Sequence, residues 1–267
     1  MRTTARSRTA TLALGVVVAL VHVQAPATAA TSEPEPGAIP DGYYEDAEGK
    51  TGDELKDALH EIISEQTVLH YDDVWDAVSV TDEDPENADN VTLFYSGDSR
   101  SKDRNGGDEG DWNREHVWAK SHGDFGTAPG PGTDIHHLRP TDHTVNSTRG
   151  NKDFDEGGEE VDDAPGNFTD EDSWEPRDEV KGDVARMVFY MAVRYEGTGE
   201  FADLELNDEV DNGSAPYMGR ESVLVEWHEQ DPPDEAERTR NDVIYEDWQH
   251  NRNPFIDNPE WVGDIWD

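Results

Sequence analysis

Apolar residues at Leu55, Leu59, Ile62 and Ile63 recur at i, i+4, i+7 and i+8, which predicts an amphipathic helix behind Thr51 or Asp53 as cap. The same spacing returns at Val184, Met187, Val188, Met191, Ala192 and Tyr195, the strongest helix of the chain. A third helix is expected over roughly 233–249, and Trp261 and Trp266 mark an aromatic C-terminal tail. The run Val91 to Tyr95 predicts a short buried strand closed by Ser96-Gly97-Asp98, and Asp134 to Pro140 another. Residues 141–150 are expected to be helical, with Asp142, Asn146 and Arg149 on one face. Asp153 to Glu179 reads as a polar loop. Helices and short strands without a βαβ rhythm predict an α+β fold.

Composition sharpens this picture. The 267 residues hold 63 Asp and Glu against 21 Lys and Arg, a net charge of −42, with no cysteine. Disulfides, thiolate metal sites and cysteine nucleophiles are thereby excluded. Eight Trp, eight Tyr and seven Phe argue for a packed core despite the charge. An acid-covered, lysine-poor chain is what folding in concentrated salt favours. At about 1 M salt the Debye length is only ~3 Å, so like charges hardly repel.

The first 30 residues carry no acid. Arg2, Arg6 and Arg8 precede an apolar run from Leu12 to Val23, and Ala27-Thr28-Ala29 offers a small-x-small cleavage pattern. Residues 1–29 are therefore expected to be a signal peptide, 30–53 an acidic Pro/Gly-rich linker, and 54–267 the functional domain. Export follows, with no membrane association once the signal is removed, and a monomer is expected.

The segment Arg100 to Lys152 breaks the acidic trend. It holds eight basic and eight acidic residues, and five of the ten histidines. Such an island marks where an anionic substrate could approach. Within it, Glu115-His116 is followed 30 residues later by Asn146. A carboxylate and a carboxamide oxygen suit a hard cation such as Mg²⁺. An imidazole suits proton abstraction from water near neutral pH. Adjacent strand residues point to opposite faces, so Glu115 and His116 can share a site only where a strand ends or bends.

Three blocks in this order, Asn113-Arg114-Glu115-His116-Val117-Trp118, Asp134-Ile135-His136-His137-Leu138-Arg139-Pro140 and Val145-Asn146-Ser147-Thr148-Arg149-Gly150-Asn151, closely resemble the secreted bacterial endonuclease I family. Gly182 to Arg186 and Asn251 to Asp257 are similar to it as well. The resemblance runs from about residue 55 to the C-terminus. It implies a ββα-metal, or His-Me finger, nuclease that cleaves DNA, and often RNA, with little sequence preference. On that resemblance His116 is the general base and Glu115 and Asn146 are ligands of one divalent cation, Mg²⁺ first, with Mn²⁺ and Ca²⁺ as alternatives. Arg149 falls at a position resembling one near the phosphates and is assigned to catalysis, and Arg139 and Arg114 to substrate binding. Two rival readings stay open. One is a zinc hydrolase drawing on His116, His122, His136 or His137, and the other is a secreted cation-binding module without catalysis.

Overall fold

The computed structural model describes residues 37–197, 199 and 201–266. The segment read as a signal peptide lies outside them. A short 3-10 turn at Glu45–Ala47 precedes α1, Gly52–Ile63, whose Leu55, Leu59 and Ile63 are wholly buried. Tyr44 and Ala47, in the stretch read as linker, also reach the core, and the Tyr44 hydroxyl donates to Asp257 at 2.7 Å. A second helix, α2 at Val74–Thr81, has no counterpart in the periodicity reading.

Strands β1 (Glu83–Asp84), β2 (Asn87–Thr92) and β3 (Ser99–Ser101) form an antiparallel sheet. The expected strand at 91–95 thus sits earlier. Leu93, Phe94 and Tyr95 turn into the core, and Phe94 N–H donates to the Pro140 carbonyl at 2.9 Å.

Next come β4 (Trp112–His116) and β5 (Leu138–Asp142), an antiparallel pair with Glu115 opposite Arg139 and His116 opposite Leu138. Helix α3 (His143–Arg149) follows directly, capped by the Asp142 carboxylate, which accepts from Thr144 N–H at 2.7 Å. Thr141 and Asp142 therefore close the strand instead of opening the helix. Asp134 to His137 lies outside β5. There the buried Asp134 carboxylate accepts from Tyr190, Tyr195, Gln66 and Gln249, a hub that satisfies its charge.

The stretch read as a polar loop contains a small four-stranded sheet: β6 (Asp153–Phe154), β7 (Glu159–Glu160), β8 (Phe168–Thr169) and β9 (Ser173–Glu175), in the order β6-β9-β8-β7. Strands of two or three residues are too short to show an alternating pattern.

Helix α4, Lys181–Arg194, buries twelve of its fourteen residues and is the centre of the main core. Its Gly182 lies so near the chain at Asp231 that a Cβ there would sit 1.9 Å from the Asp231 carbonyl oxygen. Strands β10 (Glu205–Leu206) and β11 (Tyr217–Met218), α5 (Glu221–Gln230), α6 (Glu235–Val243), a π-helical turn at Ile244–Trp248, α7 (Pro254–Asp257) and α8 (Trp261–Trp266) complete the chain. The architecture is α+β. No helix among the described residues is long and apolar enough to cross a membrane.

Candidate active site

The end of β4, the first turns after it and α3 frame a cleft of about 390 Å³. Its lining includes Tyr71, Trp75, Arg114, Glu115, His116 and Asn146. Glu115 is the one carboxylate among the lining residues, in a chain with 63 acids. His116 is the last residue of β4, and that is how two adjacent side chains come to line one cleft.

His116 is buried, and its Nε2–H donates to the Gly132 carbonyl at 3.1 Å. That bond selects the tautomer with the proton on Nε2 and leaves Nδ1 as a free lone pair. Burial, with His137 adding, holds the ring's pKa well below the ordinary imidazole value, so it is neutral at neutral pH. Tyr71 stacks beside it, ring centroids 6.0 Å apart and 25° from parallel.

Glu115 is likewise buried. Its Oε1 accepts from the Tyr95 hydroxyl at 3.0 Å and lies 3.4 Å from Arg149 Nε, while Oε2 has no hydrogen-bond partner among the described residues. Burial pushes its carboxyl up to about 7, with Arg149, Tyr95 and Lys120 pulling the other way. Asn146, on α3, donates from Nδ2 to Asn113 Oδ1 at 2.7 Å, an orientation that leaves its own carbonyl oxygen unbonded. A buried, incompletely neutralised carboxylate oxygen and an unpartnered amide carbonyl fit a hard cation that keeps several waters.

The three arginines are placed differently. Arg114 lines the cleft. Arg149 does not: it is 0% exposed, behind Glu115, and donates to the carbonyls of Val117 at 2.7 Å and Gly150 at 3.2 Å. Arg139 is turned away into an ion network, pairing with Asp82 at 2.5 Å and Asp183 at 3.3 Å. A buried guanidinium must find carboxylates, and two acids far away in sequence supply them. The histidines of the zinc reading are also engaged. His122 meets the carbonyls of Tyr217 and Asn151, His137 the Pro131 carbonyl and the Trp118 N–H, and His136 the oxygens of Asn251. Among the described residues no group of three or more His, Asp or Glu is arranged to hold a metal ion.

The neutral island resolves in the same way. Arg100 pairs with Asp142, Lys102 with Glu83, Arg104 with Asp111, Arg139 with Asp82 and Arg149 with Glu115. Arg114, Lys120 and Lys152 have no carboxylate partner among the described residues; the first two line the cleft, and Lys152 follows the lining residue Asn151. Tyr71, Trp75, Asn113 and Lys120 are lining residues that motif reading passed over. Asn113 stands inside the first motif block, whereas Tyr71 and Trp75 lie some 40 positions upstream of Glu115, where only their four-residue spacing hints at a shared face.

Comparison with known proteins shows the family. Two extracellular ribonucleases, from Bacillus subtilis (strain 168) and Bacillus amyloliquefaciens, are 68% and 66% identical over 231 residues, in each case 86% of this chain and 80% of the relative. The sequence model of the endonuclease I family matches residues 51–260. A match of that extent places the chain in a family of phosphodiester-cleaving enzymes: it belongs to the endonuclease I family.

Proposed function

We propose that the protein is a secreted, metal-dependent endonuclease that hydrolyses the phosphodiester backbone of RNA and DNA with little sequence preference, acting as a monomer. The observation that carries this reading is the Nδ1 of a neutral His116, unbonded among the described residues, in a cleft whose one lining carboxylate is Glu115 and whose cations Arg114 and Lys120 have no acid partner among those residues. The relatives are named extracellular ribonucleases, which supports export and puts RNA beside DNA as substrate.

Glu115 Oε2 and the Asn146 carbonyl oxygen would hold the divalent cation, Mg²⁺ first, with Mn²⁺ and Ca²⁺ as alternatives. When bound, such a cation supplies Lewis-acid stabilisation of charge on the phosphate oxygens. His116 Nδ1 takes the proton of the attacking water, and the Gly132 carbonyl steadies the resulting imidazolium through Nε2–H. The depressed basicity of the buried ring keeps it unprotonated and ready at neutral pH. Arg149 holds Glu115 in place from behind, and Tyr95 does so from the side. Arg114 and Lys120 attract and neutralise the phosphates.

The test is cleavage of a labelled RNA and of supercoiled plasmid by the chain lacking residues 1–29, with Mg²⁺ or with EDTA. Turnover that needs the cation and is lost in His116→Ala, with folding retained, is the expected result. Retained cleavage in His116→Ala would remove the assigned base. No cleavage of either polymer by folded wild-type protein would leave a cation-binding module as the better account.

A further inference from the structure

Tyr71 and Trp75 line the cleft, yet the hydrolytic reading gives them no task. Tyr71 lies in the turn before α2 and Trp75 in its first turn. The Arg114 guanidinium carbon is 3.5 Å from the Tyr71 ring centroid and 3.9 Å from that of Trp75. Separations that short are face contacts with both rings. Rotation of the group is fixed as well, because Nη1 donates to the Tyr71 backbone carbonyl. Trp75 is braced edge-on by the buried Trp112, with centroids 5.3 Å apart.

What remains of the guanidinium is its Nη2 end. Nη2 has no hydrogen-bond partner among the described residues, Nε is buried without one, and no carboxylate among them pairs with the group. A charged N–H donor so placed suits a phosphate oxygen. In so acidic a chain most guanidinium groups of the domain are drawn into ion pairs; this one is held by aromatic faces instead. The Tyr71 ring also stacks beside His116, so one ring sets the place of both the base and the cation.

We propose that Tyr71 and Trp75 form a positioning clamp that holds Arg114 ready to take a backbone phosphate of the nucleic acid on its Nη2 end, beside His116. The polymer's identity rests on the nuclease reading above; the clamp rests on the contacts just described. Tyr71 and Trp75 act through Arg114 and need not touch substrate.

The test separates clamping from packing. Binding of a short fluorescein-labelled single-stranded RNA to the chain lacking residues 1–29 is followed by anisotropy in EDTA, over a series of salt concentrations. Tyr71→Leu and Trp75→Leu keep apolar bulk but lose the π face, and each is expected to bind about tenfold more weakly. The log–log salt slope should also shrink by about 0.7, one phosphate contact on a single strand. Tyr71→Phe and Trp75→Phe are expected to restore both values. Arg114→Lys, which keeps the charge but loses the planar group that stacks on both rings, should behave like the Leu variants. Leu variants with lowered melting temperature but wild-type affinity and slope would overturn the clamp, as would wild-type binding by Arg114→Lys if the Leu variants do not fold. Because no turnover is needed, a wild-type protein that binds RNA but never cleaves it with Mg²⁺ or Mn²⁺ would end the nuclease reading and still decide this one.

Discussion

Arg149 Nε lies 3.4 Å from Glu115 Oε1, and both side chains are withdrawn from solvent, at 0% and 2% exposure. The pair lies beneath the candidate metal ligand and braces it. Removing one partner of a buried pair leaves the other charge uncompensated, at a cost of about 3–5 kcal/mol. Arg149→Met is accordingly expected to lower the urea midpoint strongly and to reduce cleavage as a consequence. Arg149→Lys should recover only part of the stability, because the two carbonyl bonds to Val117 and Gly150 need the guanidinium fork. Equilibrium unfolding of both variants checks this; an Arg149→Met protein as stable as wild type would contradict the brace.

The converse change costs stability too. Glu115→Gln keeps the Tyr95 bond but leaves the buried Arg149 guanidinium without its carboxylate. Its stability in EDTA is expected to fall by up to about 3–5 kcal/mol, while Mg²⁺-dependent cleavage, measured where the variant is fully folded, falls by a factor of about 10² or more. Calorimetric titration with Mg²⁺ should show the lost affinity directly. A Gln variant that cleaves normally would remove Glu115 from the site.

How much of this was legible beforehand differs from residue to residue. Glu115 and His116 are adjacent, so a strand end is enough to put them at one cleft, whereas Asn146, 30 residues further on, is joined to them by the motif order that resembles the family. Arg139 shows the limit of that logic. It sits opposite Glu115 in the β4–β5 register, yet its guanidinium goes to Asp82 and Asp183, partners 57 and 44 residues away. No local pattern announces an ion pair of that range. The burial of Arg149 behind Glu115 is likewise a property of packing that its motif position does not announce. The strands between residues 153 and 175 escaped because two-residue strands carry no period, and α2 because its contribution is Val74, Ala77 and Val78, a short stripe with little contrast.

Acid should unfold the protein earlier than its carboxylates alone require. Burial pulls His136 and His137 down to about 4, and both are neutral in the folded state. In the unfolded chain they take protons near 6.5. Between pH 6.5 and about 4 the unfolded state therefore binds more protons, and stability falls as pH falls. Above 6.5 neither state binds them and the contribution to the slope vanishes. The cumulative loss is of the order of a few kcal/mol across that window. Denaturant midpoints at pH 7, 5.5 and 4.5, in about 2 M salt to screen the carboxylates, should decline steadily. His136→Gln, with an amide to meet Asn251, should flatten the decline. A midpoint independent of pH over this range would contradict the neutral burial of both rings.

Salt acts on the fold and on the cleft in opposite directions, and this gives the most discriminating expectation. With a net charge of −42 the folded chain repels itself, and screening relieves that repulsion most where the charges are densest. The melting temperature is thus expected to climb between about 0.1 and 2 M NaCl, equally with KCl, and much less in sucrose of the same osmolality. Substrate binding works against this, because phosphate contacts by Arg114, Lys120 and Lys152 release counterions. Three contacts on a single strand imply a log–log slope of about −2. Cleavage under subsaturating substrate should then peak at intermediate salt, limited by unfolding below the peak and by weak binding above it. Adding substrate to saturation should move the peak to higher salt, since only the binding limb is relieved. A melting temperature insensitive to salt would dismiss the adaptation inferred from the acid excess, and a peak that ignores substrate concentration would show that the high-salt limb is not a loss of binding.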